Sequence, residues 1–253
     1  MRNYLCILTV LAITLTACRS SVKQQEDSVY SRHLQRHVAL TVITTPMPKQ
    51  KEDMNLLMFI GNSDDLHILR AKKIIDSLYQ KKMIQPLSLV AFAGNEGDYG
   101  LEESGKADSK QFKQFNDFVI GELYPFVKKK VVIRKFHSFA ICGFAGSALS
   151  ALDIAWNNDV KIQRVGMFYP RFTGAAEQDS SNLETINSFR KRPEIKIYLR
   201  DWGDNQSGEK FKEIIRSKKS IAEFNVTTAP AADHKRIPGE MNFADFLIWA
   251  FPK

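Results

Sequence analysis

Apolar residues in this chain gather in short unbroken runs, and between the runs they recur every three or four positions. Leu56-Leu57-Met58-Phe59-Ile60 is one such run, stopped by Gly61-Asn62. A strand buried on both faces reads this way. Leu87 to Ala93, Phe136 to Cys142, Val165 to Tyr169, Ile195 to Leu199 and Phe224 to Thr227 repeat the pattern. Leu34 to Thr45 differs, because Val38, Leu40 and Val42 alternate with other residues before Pro46-Met47-Pro48 ends the segment; this too predicts a strand. The intervening stretches predict helices. They are His67 to Lys82 through Leu69, Ile74, Ile75 and Leu78, and Phe112 to Lys129 through Phe115, Phe118, Val119, Leu123 and Phe126. Ser147 to Trp156, Phe211 to Ser217 and Phe243 to Phe251 complete the set. Asn95 to Ser109 is rich in Gly, Asp, Glu and Ser and predicts an irregular connection. Strands alternating with helices imply an α/β domain, a mostly parallel central sheet with helices on both faces. Chemistry in such sheets lies at the carboxyl ends of the strands. Four places qualify: Gly61-Asn62, Gly143 to Ser147, Asp201 to Gln206, and Asp233-His234.

Composition narrows this only a little. The chain has 253 residues, 44% hydrophobic and 25% charged, which suits one globular α/β domain and leaves little room for a second. The formal net charge is +8, but runs such as Lys128-Lys129-Lys130 and Lys218-Lys219 fall where helices end, where cations complement the dipole. The excess reads as a solvated basic surface that favours anionic headgroups or acidic polysaccharide. Nothing marks a nucleic-acid reader. The five histidines are scattered, and none pairs with Cys, Asp or Glu at metal-ligand spacing. No glycine-rich loop followed by Lys-Ser or Lys-Thr suggests a nucleotide, so neither metal nor cofactor is expected.

The first residues carry a different signal. Met1-Arg2-Asn3 is a short cationic start, and Tyr4 to Ala17 holds no charge and is rich in Leu, Ile, Val and Ala. That run is too short to span a bilayer and reads as a signal peptide, residues 1–17. It ends in Leu15-Thr16-Ala17-Cys18, which resembles the bacterial lipobox, whose cysteine is acylated and becomes the new N-terminus. Cys18 is then a lipid anchor in the bilayer. In enteric bacteria an Asp after that cysteine retains a lipoprotein in the inner membrane. Here the position is Arg19, so the expectation is a cell-envelope protein on the outer membrane. Residues 18–28 are polar and predict a flexible tether, with the folded domain spanning 29–253. Cys142 is the one thiol left in that domain, so no disulfide framework is expected.

Within the domain, Ser138 to Cys142 runs through Gly143-Phe144-Ala145-Gly146-Ser147 into a helix. A strand, a sharp turn and a helix with small residues two before and two after the apex are the setting of a nucleophile elbow, G-x-S-x-G. Around this point the chain resembles the bacterial esterase family that includes enterochelin-esterase-like and feruloyl-esterase-like α/β-hydrolases. The resemblance extends to Ser31-Arg32-His33-Leu34 with the strand that follows, to Leu57–Gly61, and to Glu122-Leu123-Tyr124-Pro125-Phe126 in the helix before the elbow strand. It implies the α/β-hydrolase fold. It also implies a serine nucleophile, where this chain has Ala145. By the same resemblance His234 is the late histidine, and Asp204 is the better chemical candidate for the acid, although the family's spacing falls nearer Gln206. The family often has Trp four residues after the histidine; here Pro238 stands there. The oxyanion hole would use the N–H of Gly146 and one from Gly61 or Asn62.

Two functions follow. One is an inactive esterase relative that binds a glycan, an acylated saccharide or a protein partner. The other is a working carboxylic-ester hydrolase with a substitute nucleophile such as Ser147 acting with His234. Ser147 lies two residues into the helix and Cys142 lies inside the strand, which weighs against either replacing the missing serine. Met58, Phe59, Phe92, Met167 and Phe168 read as core rather than as a ligand platform. The ligand and the oligomeric state are not legible in the sequence.

Overall fold

A computed structural model describes residues 22–94, 109–170, 172, 183, 186, 193–201, 206–217, 223–228 and 239–253. Among them are eight strands: β1 (Lys23–Ser31), β2 (Arg36–Thr44), β3 (Asn55–Ile60), β4 (Leu87–Phe92), β5 (Phe139–Phe144), β6 (Arg164–Phe168), β7 (Lys196–Asp201) and β8 (Glu223–Thr228). They form one sheet in the order β1-β2-β4-β3-β5-β6-β7-β8. β2 runs antiparallel to both β1 and β4. From β4 to β8 every pairing is parallel.

The apolar runs predicted this arrangement because β3, β4 and β5 lie inside the sheet with both faces covered. All six residues of β3 are buried. Leu56, Met58 and Ile60 join the core on one face, while Leu57 and Phe59 join the core on the other, as the two-residue period of a strand requires. The first face is covered by α3 (Ser109–Asp117), a π-helical segment (Phe118–Leu123), α4 (Tyr124–Val131), α5 (Gly146–Asn157) and α6 (Gln206–Ser217). The second face is covered by α1 (Ser63–Ile68), α2 (Ala71–Gln80) and α7 (Gly239–Ala250). Met58, Phe59, Phe92, Met167 and Phe168 are all buried in these cores. Among the described residues no helix is long and apolar enough to cross a membrane.

Three elements differ from the sequence expectation. Residues 23–28, expected in the tether, belong to β1, whose register pairs Lys23 with Thr44 and Ser31 with Arg36. This edge strand is polar and mostly exposed, so no apolar alternation announces it. Backbone pairing holds it, helped by Thr41 Oγ1 donating to Glu26 at 2.6 Å and by the Lys130–Asp27 ion pair. The helix expected over His67 to Lys82 is two helices, because Arg70 adopts the left-handed conformation (φ 49°, ψ 37°) and ends the first at Leu69. The long helix before β5 widens to π geometry just ahead of Pro125. A proline there has no N–H to donate and crowds the carbonyl four residues back, and a widened turn relieves both.

That widened segment also carries Glu122, which clamps the β1–β2 turn. Ser31 Oγ donates to its carboxylate at 2.7 Å and the Arg32 N–H at 3.1 Å. Burial pushes the Glu122 carboxyl up, but these hydrogen bonds together with His33 outweigh burial and hold it below its ordinary value. A carboxylate with a lowered folded-state pKa stabilises the fold above the ordinary carboxylate range, and that contribution fades as pH falls through the lowered pKa. Glu122→Ala should therefore cost about 1.5–3 kcal/mol at pH 7, the usual range for hydrogen bonds to a charged group. Urea unfolding of wild type and variant at pH 7 and pH 3 should show the gap shrink at the lower pH.

Candidate active site

The turn from β5 into α5 is the most constrained place in the sheet. Ala145 sits at φ 50°, ψ −118°, a region that L-residues adopt only under constraint. Its N–H donates to the Phe168 carbonyl at the end of β6, at 2.9 Å. Two residues earlier, a side chain on Gly143 would place its Cβ 2.5 Å from the Ser147 carbonyl oxygen and 2.7 Å from Ser147 Oγ. Only glycine fits there.

Ser147 explains the closeness. Its Oγ accepts from the Phe144 N–H at 3.0 Å, and it lies 2.8 Å from the Phe144 carbonyl and 3.0 Å from the Ile60 carbonyl. A hydroxyl has one proton and two lone pairs. Here the proton goes to a backbone carbonyl and the oxygen takes a backbone N–H. Ser147 is thus a staple that ties the elbow to the end of β3.

The staple brings Gly61 and Asn62 beside the elbow, and both of their N–H groups already have partners. Gly61 N–H donates to the Phe92 carbonyl at 2.9 Å, continuing the β3–β4 ladder. Asn62 N–H donates to Asp65 Oδ2 at 2.8 Å, while Asn62 Oδ1 accepts from the Asp65 N–H at 2.9 Å. This reciprocal pair is a capping box that starts α1 and ties up two backbone donors at once. The two amides expected as the second oxyanion donor are thus both hydrogen-bonded within the chain. The one amide is in the sheet ladder, and the other holds the chain's own carboxylate. Gly146 is the first residue of α5, where N–H groups have no intrahelical partner.

The strand order, the single antiparallel β2 and a strained turn between β5 and the following helix together decide the architecture. The fold is that of the α/β-hydrolases. Solved structures agree at low identity. A ferulic acid esterase superposes with a TM-score of 0.67 at 14% identity, covering 92% of this chain and 98% of its own. An IroE-like serine hydrolase from Shewanella oneidensis gives a TM-score of 0.69 at 11% identity, over 90% of this chain and 80% of its own. The siderophore hydrolase EstB from Aspergillus nidulans gives 0.67 at 11%, over 90% and 94%. No protein-family model and no curated protein sequence matches the chain.

In α/β-hydrolase terms, the remaining candidates separate as follows. Cys18, Asp204, His234 and Pro238 lie outside the described residues. Gln206 is the first residue of α6. Cys142 is fully buried in β5, and burial pushes its thiol well above the usual value, so it offers no thiolate. The acid that the structure does place at the carboxyl end of β7 is Asp201, which sequence reading passed over as the start of a loop. It is buried beside Lys212 Nζ at 3.6 Å, and that same ammonium donates to Glu209 at 2.7 Å. Gly208 leaves the room this carboxylate occupies. The signal in the sequence was an acid closing an apolar strand, with a lysine inside the helix that follows.

Beneath the elbow the core is aromatic. Phe144 stacks on Phe168 (centroids 4.5 Å apart, 9° between planes), and Phe168 meets Phe246 of α7 edge-on at 5.4 Å. Ala145 itself is half-buried, so its methyl group is within reach of a ligand. Among the described residues, no three His, Cys, Asp or Glu side chains gather as a metal ion would need.

Two stability measurements test this reading of the turn. Ser147→Ala should cost about 1–3 kcal/mol, because it strands a backbone donor in a packed corner. Ala145→Gly should leave stability level or raise it by up to about 1 kcal/mol, since glycine relieves the positive φ. An ordinary Ala→Gly change elsewhere in α5 should lower stability by about 0.5–1 kcal/mol. Thermal unfolding of the three variants checks both expectations.

Proposed function

We propose that this chain is a catalytically silent α/β-hydrolase that acts by binding, held to a membrane through acylated Cys18. The observation that carries the proposal is the elbow: residue 145 keeps the strained geometry of a nucleophile position and has only a methyl group there. Acyl transfer needs a nucleophile activated by a base, and removing it from a triad costs several orders of magnitude in rate. The loss does not stand alone. Both amides expected to complete the oxyanion hole are hydrogen-bonded within the chain, and one missing donor costs about 10²–10³ in rate.

The alternative, an active esterase using Ser147, meets a direct obstacle. The Ser147 hydroxyl is bonded to backbone on both its donor and acceptor sides, and freeing it would undo the staple. What the elbow retains is a half-buried turn at the strand ends, from Phe144 to Ser147, and the first turn of α5. The neighbours include a ferulic acid esterase and a siderophore hydrolase, and an acylated saccharide or related ester-bearing ligand is the class in keeping with them. Arg19 after the anchor cysteine supports an outer-membrane location.

Purified protein should hydrolyse p-nitrophenyl acetate and butyrate no faster than buffer, and a fluorophosphonate probe should leave Ser147 unlabelled. Ala145→Ser alone should leave turnover at least about 10²–10³-fold below that of a serine esterase with a complete oxyanion hole, because the second donor is still missing. Robust hydrolysis by the wild type, or an adduct mapped to Ser147, overturns the proposal.

A further inference from the structure

The loops that enter the parallel strands form one continuous end of the molecule. Asn55 N–H donates to the Pro86 carbonyl at 2.9 Å, His137 N–H to the Met54 carbonyl at 2.8 Å, and Lys196 N–H to the Gln163 carbonyl at 2.9 Å. These bonds join the approaches to β3, β4, β5, β6 and β7 edge to edge. The chain's N-terminal side emerges at the same end, because Lys23 pairs with Thr44 and the neighbouring Thr45 bonds to Leu87 at the start of β4. Cys18 is four residues before Val22, a span of at most about 14 Å.

This end has an unusual make-up. Each of four loops exposes one large apolar side chain, with cations close by in sequence. Met47 is 43% exposed ahead of exposed Lys49 and Lys51. Met83 is 41% exposed directly after exposed Lys81 and Lys82. Val132 is 67% exposed between Lys129 and Arg134, and Val160 is 90% exposed beside Lys161. Glu52, Asp53 and Asp159 lie in the same loops and Glu194 before β7, but these acids are fewer than the bases.

Val132 adds a conformational argument. It caps α4 at φ 57°, ψ 48°, a position that favours Gly or Asn and penalises a β-branched residue. Neither burial nor backbone preference explains a valine there. A surface that takes up apolar side chains and cations together does, and the bilayer interface is such a surface. Methionine and valine enter the acyl boundary while lysine stems extend toward lipid phosphates.

We infer that this loop end is a docking surface for a bilayer containing anionic phospholipid. The inference rests on the proposed lipid anchor at Cys18 and extends it. A single lipidated terminus tethers the domain without orienting it, and a basic, apolar-tipped face a few residues away supplies the second attachment. The Ala145 elbow, at the carboxyl ends of the strands, then faces away from the bilayer.

The test uses the acylated full-length protein on vesicles of phosphatidylethanolamine with 30% phosphatidylglycerol. Cys18 is acylated and Cys142 is buried, so Met83→Cys, Val160→Cys or Ile68→Cys each offers one site for a solvatochromic fluorophore. Ile68 is exposed in α1, at the opposite end of the sheet. The dye at 83 and 160 should shift to the blue on these vesicles and return in 0.5 M salt, while the dye at 68 stays unchanged. Lys81→Glu/Lys82→Glu/Lys161→Glu should abolish the shift with flotation retained, each reversal weakening surface attraction by roughly fivefold or more. Flotation without a shift at 83 and 160, or with an equal shift at 68, overturns the docking face and leaves the anchor standing. Failure to float, with no acyl group found by mass spectrometry, overturns the anchor and the orientation together.

Discussion

The Ser147 hydroxyl joins three backbone groups, the Phe144 N–H and the carbonyls of Phe144 and Ile60, and much of the site's geometry depends on it. Gly143 has to be glycine because Ser147 packs against its Cα. Ala145 is held at positive φ because β5 must turn sharply into α5 while its own N–H reaches Phe168 on β6. The elbow is therefore bonded to the strands on both its sides, β3 and β6. Such a turn is fixed by packing and hydrogen bonds that do not involve the side chain at its apex. That is why an alanine can occupy the apex without the architecture changing.

The same reasoning separates what the chain keeps from what it gives up. A serine hydrolase needs the apex hydroxyl and, beside it, amides aimed at an empty position where charge will develop. In this chain the end of β3 runs directly into a helix whose capping box places the Asp65 carboxylate on the Asn62 N–H. A carboxylate at that amide already occupies the donor and would repel a second negative charge. At β7, Asp201 is buried with its Oδ2 3.6 Å from Lys212 Nζ. Acids thus lie near the expected positions, but they satisfy the chain's own amides and ammonium groups.

How much of this was legible in the sequence varied with the physics of each element. Doubly buried strands such as β3 and β4 announce themselves because both faces must be apolar. The edge strand β1 does not, since Lys23 to Ser28 buries almost nothing and is held by pairing to β2. The sharp β5–α5 turn was readable, because only a glycine at 143 fits against Ser147. The break at Arg70 was not readable, as a left-handed arginine has no sequence signature comparable to glycine. Nor was the fate of the Gly61 and Asn62 amides. Whether an N–H points at a ligand or at a neighbouring strand is decided by register and capping, and the aspartate three residues beyond Asn62 was the one local hint.

Topology then constrains what the site can meet. In a parallel sheet the loops entering the strands and the loops leaving them lie at opposite ends, about 20 Å apart for six-residue strands. The chain's N-terminal side and the lysine-flanked Met47, Met83, Val132 and Val160 belong to the first end. Ala145, the Phe144–Phe168 stack and the start of α1 belong to the second. A domain anchored by the first end cannot offer the second to lipids of the same bilayer. On the proposed anchoring, a ligand of the elbow would arrive from the aqueous side, as a free molecule or as part of a structure facing the membrane. A polar, acylated or polymeric ligand meets that requirement, whereas a phospholipid ester within the anchoring bilayer does not. On that proposal, the position of the elbow relative to Cys18 restricts the ligand class independently of the residue at 145.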